Sequence, residues 1–188
     1  AYKLNIHFVS YIFLLGRKDK LSLSELRARL QEAELIGEKT ALCECKLPAD
    51  PQKFLDSLGG TIKICEVVGK LGNPHDCQNF ISNYLADYFS DAKSKVNFGI
   101  SAYNLAGGRE IPLKNLLKNS KNFLQEKGVK SRFVNKMFEN ITNTAIYDSG
   151  LLRHGIELCV FQNREIFIGK TVAVQDFKLY GFRDYERP

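Results

Sequence analysis

The stretch Arg109–Lys136 sets the terms for the whole chain, because it must be a helix with two different faces. Leu113, Leu116, Leu117, Ser120 and Leu124 recur at the spacing of one helical face, and Lys114, Lys118 and Lys121 form a second stripe beside it. Pro112 sits where a first helical residue tolerates proline, and Gly128 ends the helix. A short strand, Lys130–Val134, follows, with Arg132 near its middle. Such a helix needs packed structure under its leucines. The stretch holds eight Lys/Arg and two acids, a net charge of +6, which equals the formal charge of the entire 188-residue chain.

The charge is unevenly divided. Residues 1–92 carry a net −1 and residues 93–188 a net +7. A basic half beside a near-neutral half points to a polyanionic partner for the basic half. The five cysteines are odd in number and include no Cys-x-x-Cys pair. Cys43 and Cys45 share one face of a strand-like run and cannot bridge each other without distorting it. His7, His75 and His154 do not fall at zinc-site spacings, so no metal is expected. Buried reduced thiols imply a cytoplasmic protein. No apolar run approaches a membrane span, and no signal peptide is evident.

Read in order, Ile6–Leu15 is a central strand, and Gly16–Lys20 is a turn. Ser22 and Glu25 have capping-box spacing and predict a helix to about Gln31. Ala41–Leu47 alternates as a half-buried strand, Pro51 opens a short helix through Leu58, and Thr61–Val68 is a third strand. This β-α-β-α-β order suits a small α/β sandwich. Gly69–His75 reads as a linker, after which Asp76 caps a helix to about Phe89. Its stripe of Cys77, Phe80, Ile81, Tyr84, Leu85, Tyr88 and Phe89 is expected to pack across the boundary between the two halves. Val96–Tyr103 is a strand, and a loop with Gly107 and Gly108 leads into the basic stretch. Asn135–His154 reads as short helical pieces with a loop at Tyr147–Gly150, and Ile156–Phe161 and Ile166–Val174 form a hairpin. The chain stops in a polar stretch, Arg183–Pro188, as the front part of a longer protein would.

Enzyme signatures are missing. Gly59-Gly60 and Gly107-Gly108 are isolated doublets that fit no dinucleotide or phosphate loop, and Gly-x-Ser-x-Gly does not occur. Asp148 and Ser149 near His154 make only a weak triad argument, since sequence proximity fixes no geometry. What remains is a basic surface on a folded scaffold. Lysines on a rigid helix face neutralise phosphates with little sequence readout. Lys114, Lys118, Lys121, Lys130, Arg132 and Lys136 are the candidates, with Arg153 and Lys170 nearby. Arg132 offers a planar fork to a phosphate or base edge, and Phe133 is either a stacking platform or core.

The segments Val96-Asn97-Phe98-Gly99-Ile100-Ser101, the Lys-rich helix and Gly128-Val129-Lys130-Ser131-Arg132-Phe133-Val134 resemble a THUMP domain of an unusual methyltransferase branch. So do Leu151-Leu152-Arg153-His154-Gly155-Ile156-Glu157-Leu158 and Ile168–Asp176. The tail Tyr180–Pro188 is similar to the segment leading into the catalytic domain. The branch is the tRNA guanine-N2 (guanine-10 type) methyltransferases and their bacterial relatives labelled putative DNA methylases. The resemblance implies an α+β fold: an N-terminal ferredoxin-like α/β domain over 1–90, a THUMP domain with a mixed sheet over 91–175, and a linker at 176–188 toward a methyltransferase domain. It implies that the chain docks tRNA for that domain, which binds S-adenosylmethionine. The Asn/Asp-Pro-Pro-Tyr/Phe motif of such domains does not occur in this chain, so it is expected to bind no cofactor and to carry no catalytic site itself. Two other readings stay open: a protein-interaction or dimerisation domain using the Asp76–Phe89 stripe, and the DNA-recognition part of a DNA methylase.

Overall fold

The computed structural model describes residues 9–105 and 111–176. The start of the first expected strand (6–8), the Gly107-Gly108 loop, Arg109 and the tail from 177 onward lie outside them. The described elements are β1 (Val9–Leu15), α1 (Asp19–Leu30), β2 (Glu34–Gly37), β3 (Thr40–Cys45), α2 (Pro51–Asp56), β4 (Thr61–Leu71), α3 (Asp76–Tyr88), β5 (Val96–Asn104), α4 (Leu113–Glu126), β6 (Ser131–Phe133), α5 (Asn143–Asp148), β7 (Gly155–Gln162) and β8 (Ile166–Val174). The fold is α+β, with one mixed sheet of eight strands in the order β2-β3-β1-β4-β8-β7-β5-β6. β5 runs parallel to both β6 and β7, and the other pairs are antiparallel. The β4–β8 pairing carries the sheet from the first half of the chain into the second.

α1 to α4 cover one face of this sheet. α1 and α2 bury Leu23, Leu26, Phe54 and Leu55 against Phe13, Leu15 and Ile64. Farther along, α3 and α4 bury Cys77, Ile81, Leu85, Leu116, Leu117 and Leu124 against Phe98, Ile100, Ile156, Leu158 and Ile168. The α3 stripe is thus consumed in packing against α4 and the second-half strands, with Tyr88 at its end left exposed. The five cysteines are free and buried. Burial pushes the Cys43 thiol up, and Cys45 up to about 12, so both stay protonated and inert near neutrality.

The other face carries α5, whose Ile146 packs with Ile141, Leu151 and Val174 beside Gly99, and a second cluster. Ile12, Leu14, Cys65, Cys159, Phe161 and Phe167 form its core. The β2–β3 end reaches over to it: Gly37 lies so close to Leu105 that a Cβ would sit 2.6 Å from the leucine Cβ, and Asn163 Nδ2 donates to the Ile36 carbonyl at 2.6 Å. Inside lies an ion pair. Lys63 Nζ donates to both Glu157 oxygens at 2.9 Å, with 2% and 0% of the two side chains exposed. Glu157 also accepts from Ser101 Oγ at 2.6 Å and from Thr171 Oγ1. Burial on its own would depress the Lys63 ammonium, yet Cys159 and Glu157 hold it well above its ordinary value. A thiol is uncharged near neutrality, so the carboxylate is the partner that acts.

Four expectations are corrected. α1 starts at Asp19, so Ser22 is no cap: its hydroxyl donates to Lys18 O at 2.9 Å. Glu25 instead accepts from the Gly59 and Gly60 amides at 2.8 and 2.9 Å, a long-range tie no local spacing reveals. β4 runs on through Gly69 to Leu71, because the missing Cβ of Gly69 leaves room for the Phe80 ring, which a Cβ would meet at 2.3 Å. Asp76 is the first helical residue rather than the cap. A short helix in 135–154 is present as expected, but it runs over Asn143–Asp148 and so takes in Tyr147 and Asp148 of the expected loop; Thr142 caps it, its Oγ1 accepting from Ala145 N at 3.3 Å.

Gly155 answers to a similar close approach. A Cβ there would lie 2.5 Å from the Asn97 carbonyl oxygen across the parallel β5–β7 pair. Backbone on a neighbouring strand cannot swing aside, so Gly155→Ala is expected to cost about 1–3 kcal/mol. Thermal unfolding of the variant reads this directly; an unchanged midpoint would mean that β5 and β7 are not held this closely.

Candidate nucleic-acid interface

α4 is pinned by Leu116, Leu117, Ser120 and Leu124, all buried, with Leu113 half-buried at its start. This fixes Lys114, Lys118 and Lys121 on an exposed flank that faces the β6 edge of the sheet. There the lysines meet two aromatic rings. Lys114 Nζ and Lys118 Nζ lie 5.6 and 5.7 Å from the Phe138 ring centre, and Lys121 Nζ lies 5.9 Å from that of Phe133. Phe133 packs edge-on against the core Phe98 at 6.2 Å and at a tilt against Phe138 at 6.0 Å. Phe133 is therefore half core and half platform.

Helix stability does not account for these charges. The macrodipole favours acids in the first turn and bases in the last. The first turn of α4 has no acid and carries Lys114, while its last turn has no base and carries Glu126. Among the described residues, none of the three lysines takes part in an ion pair. Their charge is left to solvent or to a partner.

The ring of Phe138 is held by a loop that finishes the sheet edge without a strand. β6 pairs with β5 only from Val96 to Phe98. Beyond it, side-chain amides take over. Asn135 accepts from Ile100 N at 3.2 Å and donates to Ile100 O and Glu139 O, both at 2.7 Å. Asn140 accepts from Ala102 N at 2.8 Å and donates to Ala102 O at 2.9 Å. Ile141 N donates to Ser101 Oγ at 3.1 Å, and Ser101 in turn donates to Glu157. The edge that β6 leaves open is thereby satisfied and blunted. Asn135, Asn140 and Phe138 were not singled out from sequence, because each partner lies some 35 positions or more away or across the α4 interface.

The other candidates spread out. Lys136 is exposed on the same loop. Phe133 takes the helix side of β6, so alternation puts Arg132 on the opposite side. Lys130 stands just before β6, where its carbonyl accepts from Val96 N at 2.9 Å. Arg153 is exposed in the turn before β7. Lys170 is half-buried on β8, its amine 5.9 Å from the Tyr88 ring at the far end of α3. The structure therefore gathers Lys114, Lys118 and Lys121 around two rings and leaves Arg132, Arg153 and Lys170 elsewhere on the surface. Ser149 Oγ donates to the Ala145 carbonyl, so that hydroxyl is engaged within its own helix. No group of metal-ligating side chains occurs among the described residues, and no described helix is long and apolar enough to cross a membrane.

The sequence matches no family model and no curated protein. Its fold does have neighbours among solved structures. PH1313 from Pyrococcus horikoshii Ot3 superimposes with a TM-score of 0.55 at 10% identity, covering 86% of this chain and 54% of that one. TrmN from Thermus thermophilus gives 0.52 at 13% identity, with 88% and 46% covered. A 4-thiouridine synthetase, solved as an RNA complex with bound ATP, gives 0.51 at 11% identity, with 87% and 41% covered. The chain thus spans about half the length of these neighbours or less. At such identities the likeness is one of fold alone, an α+β arrangement around a mixed sheet.

Proposed function

We propose that the chain is an RNA-binding module of a tRNA-modifying enzyme, and that Lys114, Lys118 and Lys121 engage RNA phosphates. The observation that carries the reading is the α4 flank itself: three exposed lysines, unpaired among the described residues, ranged over two aromatic rings, with Lys114 in the first turn against the preference of the helix dipole. The fold likeness to a synthetase crystallised with RNA supports it. In this reading residues 1–90 form a ferredoxin-like unit and 91–175 the THUMP unit, and together they set the reach to the target base. Residues 176–188 lead toward a methyltransferase domain, which would supply S-adenosylmethionine chemistry. None of the residues described here is assigned to that cofactor. Lys130, Arg132, Lys136, Arg153 and Lys170 would contribute outer contacts on a long RNA.

Binding carried by phosphate contacts must release counterions. The affinity of the chain for tRNA is expected to fall at least about 10²-fold between about 50 and about 200 mM monovalent salt, as three to four such contacts alone require. Fluorescence anisotropy across that range checks it. Binding that is flat with salt, or no binding even at the low end, would exclude the reading.

A further inference from the structure

Two successive non-glycine residues in the loop after β6 hold a left-handed backbone, Met137 at φ 52° and Phe138 at φ 58°. Such a conformation is unfavourable for side chains of this kind and persists where the surroundings over-determine it. Here the surroundings are plain. Asn135 and Asn140 tie the two ends of the loop to Ile100 and Ala102, and Glu139 N closes back onto Lys136 O at 3.0 Å. The result is an opposed pair of side chains. Phe138 turns inward beneath Lys114 and Lys118, while Met137 points out with 85% of its surface exposed.

Neither packing nor turn formation explains a methionine at that apex. Its side chain adds nothing to the core, and glycine or asparagine would hold the backbone with less strain. Lys136 precedes it, Glu139 closes the same turn, and the α4 lysines lie over the next residue. A flexible, exposed thioether one residue from the ring that carries Lys114 and Lys118 suits a flat, polarizable, electron-rich group attached to an anion. A base in a duplex keeps its faces stacked; an unpaired base offers one.

Resting on the RNA-binding reading above, we infer that Met137 is a specificity-determining contact that packs against the face of an unpaired nucleobase while the α4 lysines hold the flanking phosphates. The site therefore prefers single-stranded RNA to duplex. The contact is made by dispersion and leaves the phosphate contacts untouched.

The test compares the parent chain with Met137→Ala and Met137→Gly, using a single-stranded oligoribonucleotide and an RNA duplex of equal length at matched salt. Both variants are expected to lose about five- to tenfold in single-strand affinity, the upper part of what a thioether–ring contact contributes. Duplex affinity and the salt slope stay as in the parent. Met137→Gly relieves the left-handed backbone, so its melting midpoint is expected not to fall, and its binding loss cannot then be assigned to misfolding. Unchanged single-strand binding in both variants, or equal losses for single strand and duplex, would overturn the Met137 contact and leave the lysine reading standing. A parent chain that binds neither RNA would instead overturn the RNA-binding reading, and the Met137 contact with it.

Discussion

Glu157→Ala is expected to destabilise the chain by about 3–5 kcal/mol, because it strands Lys63 inside the sheet without its partner. Lys63 is 2% exposed and bonds both oxygens of Glu157, with the Tyr103 hydroxyl at 3.4 Å as its other contact. Two further groups lose a partner at the same time, Ser101 and Thr171, which donate to Glu157, and Ser101 is the hydroxyl that accepts from the Ile141 amide of the loop beside α4. For a chain of this size each kcal/mol moves the midpoint by about 2–4 °C, so thermal unfolding should begin on the order of 10 °C lower. The pair as a whole is a different matter. Removing both charges at once, as Lys63→Met with Glu157→Leu, is expected to recover much of the loss, since two buried charges cost nearly as much to desolvate as they return. A double variant no more stable than Glu157→Ala would mean that the hydrogen bonds to Ser101 and Thr171, rather than the stranded ammonium, carry the effect.

The sign of the pH dependence follows from the same pair. The folded-state value of Lys63 lies above its ordinary one, so its contribution to stability is fully present below about pH 10, the unfolded lysine range, and is lost as pH rises through the folded value. Acidification toward pH 5 leaves this amine charged in both states and so removes nothing on its account.

Periodicity made α3 and α4 legible. The stripes of α3 and α4 specify their buried faces because each must lie on a sheet, and their observed cores are the expected Cys77, Ile81 and Leu85, and Leu116, Leu117 and Leu124. Short-range chemistry did as well where it was truly local. Pro51 does open α2, with Asp50 accepting from Gln52 N and Lys53 N, and Gly128 does close α4 with φ +80°. What escaped is what depends on distant partners. β2 is a four-residue edge strand with its first two residues exposed and no alternation to detect. The Ser22/Glu25 spacing mimics a capping box, yet Glu25 serves amides 34 and 35 positions away. Lys63 and Glu157 read as ordinary charged positions in strands, and only the sheet order, which brings β4 and β7 to either side of β8, reveals them as a pair.

The candidate interface divides in the same way. The lysine stripe was legible, because a charged face beside an apolar one needs only helical geometry. The rings under it were not, because Phe138 reaches α4 through a loop whose shape is set by Asn135 and Asn140 bonding to β5. Nor could sequence separate Arg132, which alternation turns away from α4, from Lys121, which faces Phe133.

Changing Lys114, Lys118 and Lys121 together to glutamate should therefore strike binding far harder than folding. The leucine face of α4 is untouched, and an acid at position 114 suits the helix N-terminus better than the lysine it replaces. The losses are three exposed cation–ring contacts, each worth about 0.5–1 kcal/mol. For RNA, three favourable charges become three repulsive ones at the centre of the cationic surface, and affinity should drop by at least about 10²-fold at low salt. The decisive measurement is tRNA binding by the parent and this triple variant at one low salt concentration, with circular dichroism of both. The account predicts tight binding by the parent, none measurable by the variant, and superimposable spectra. A folded variant that binds tRNA as well as the parent would contradict it.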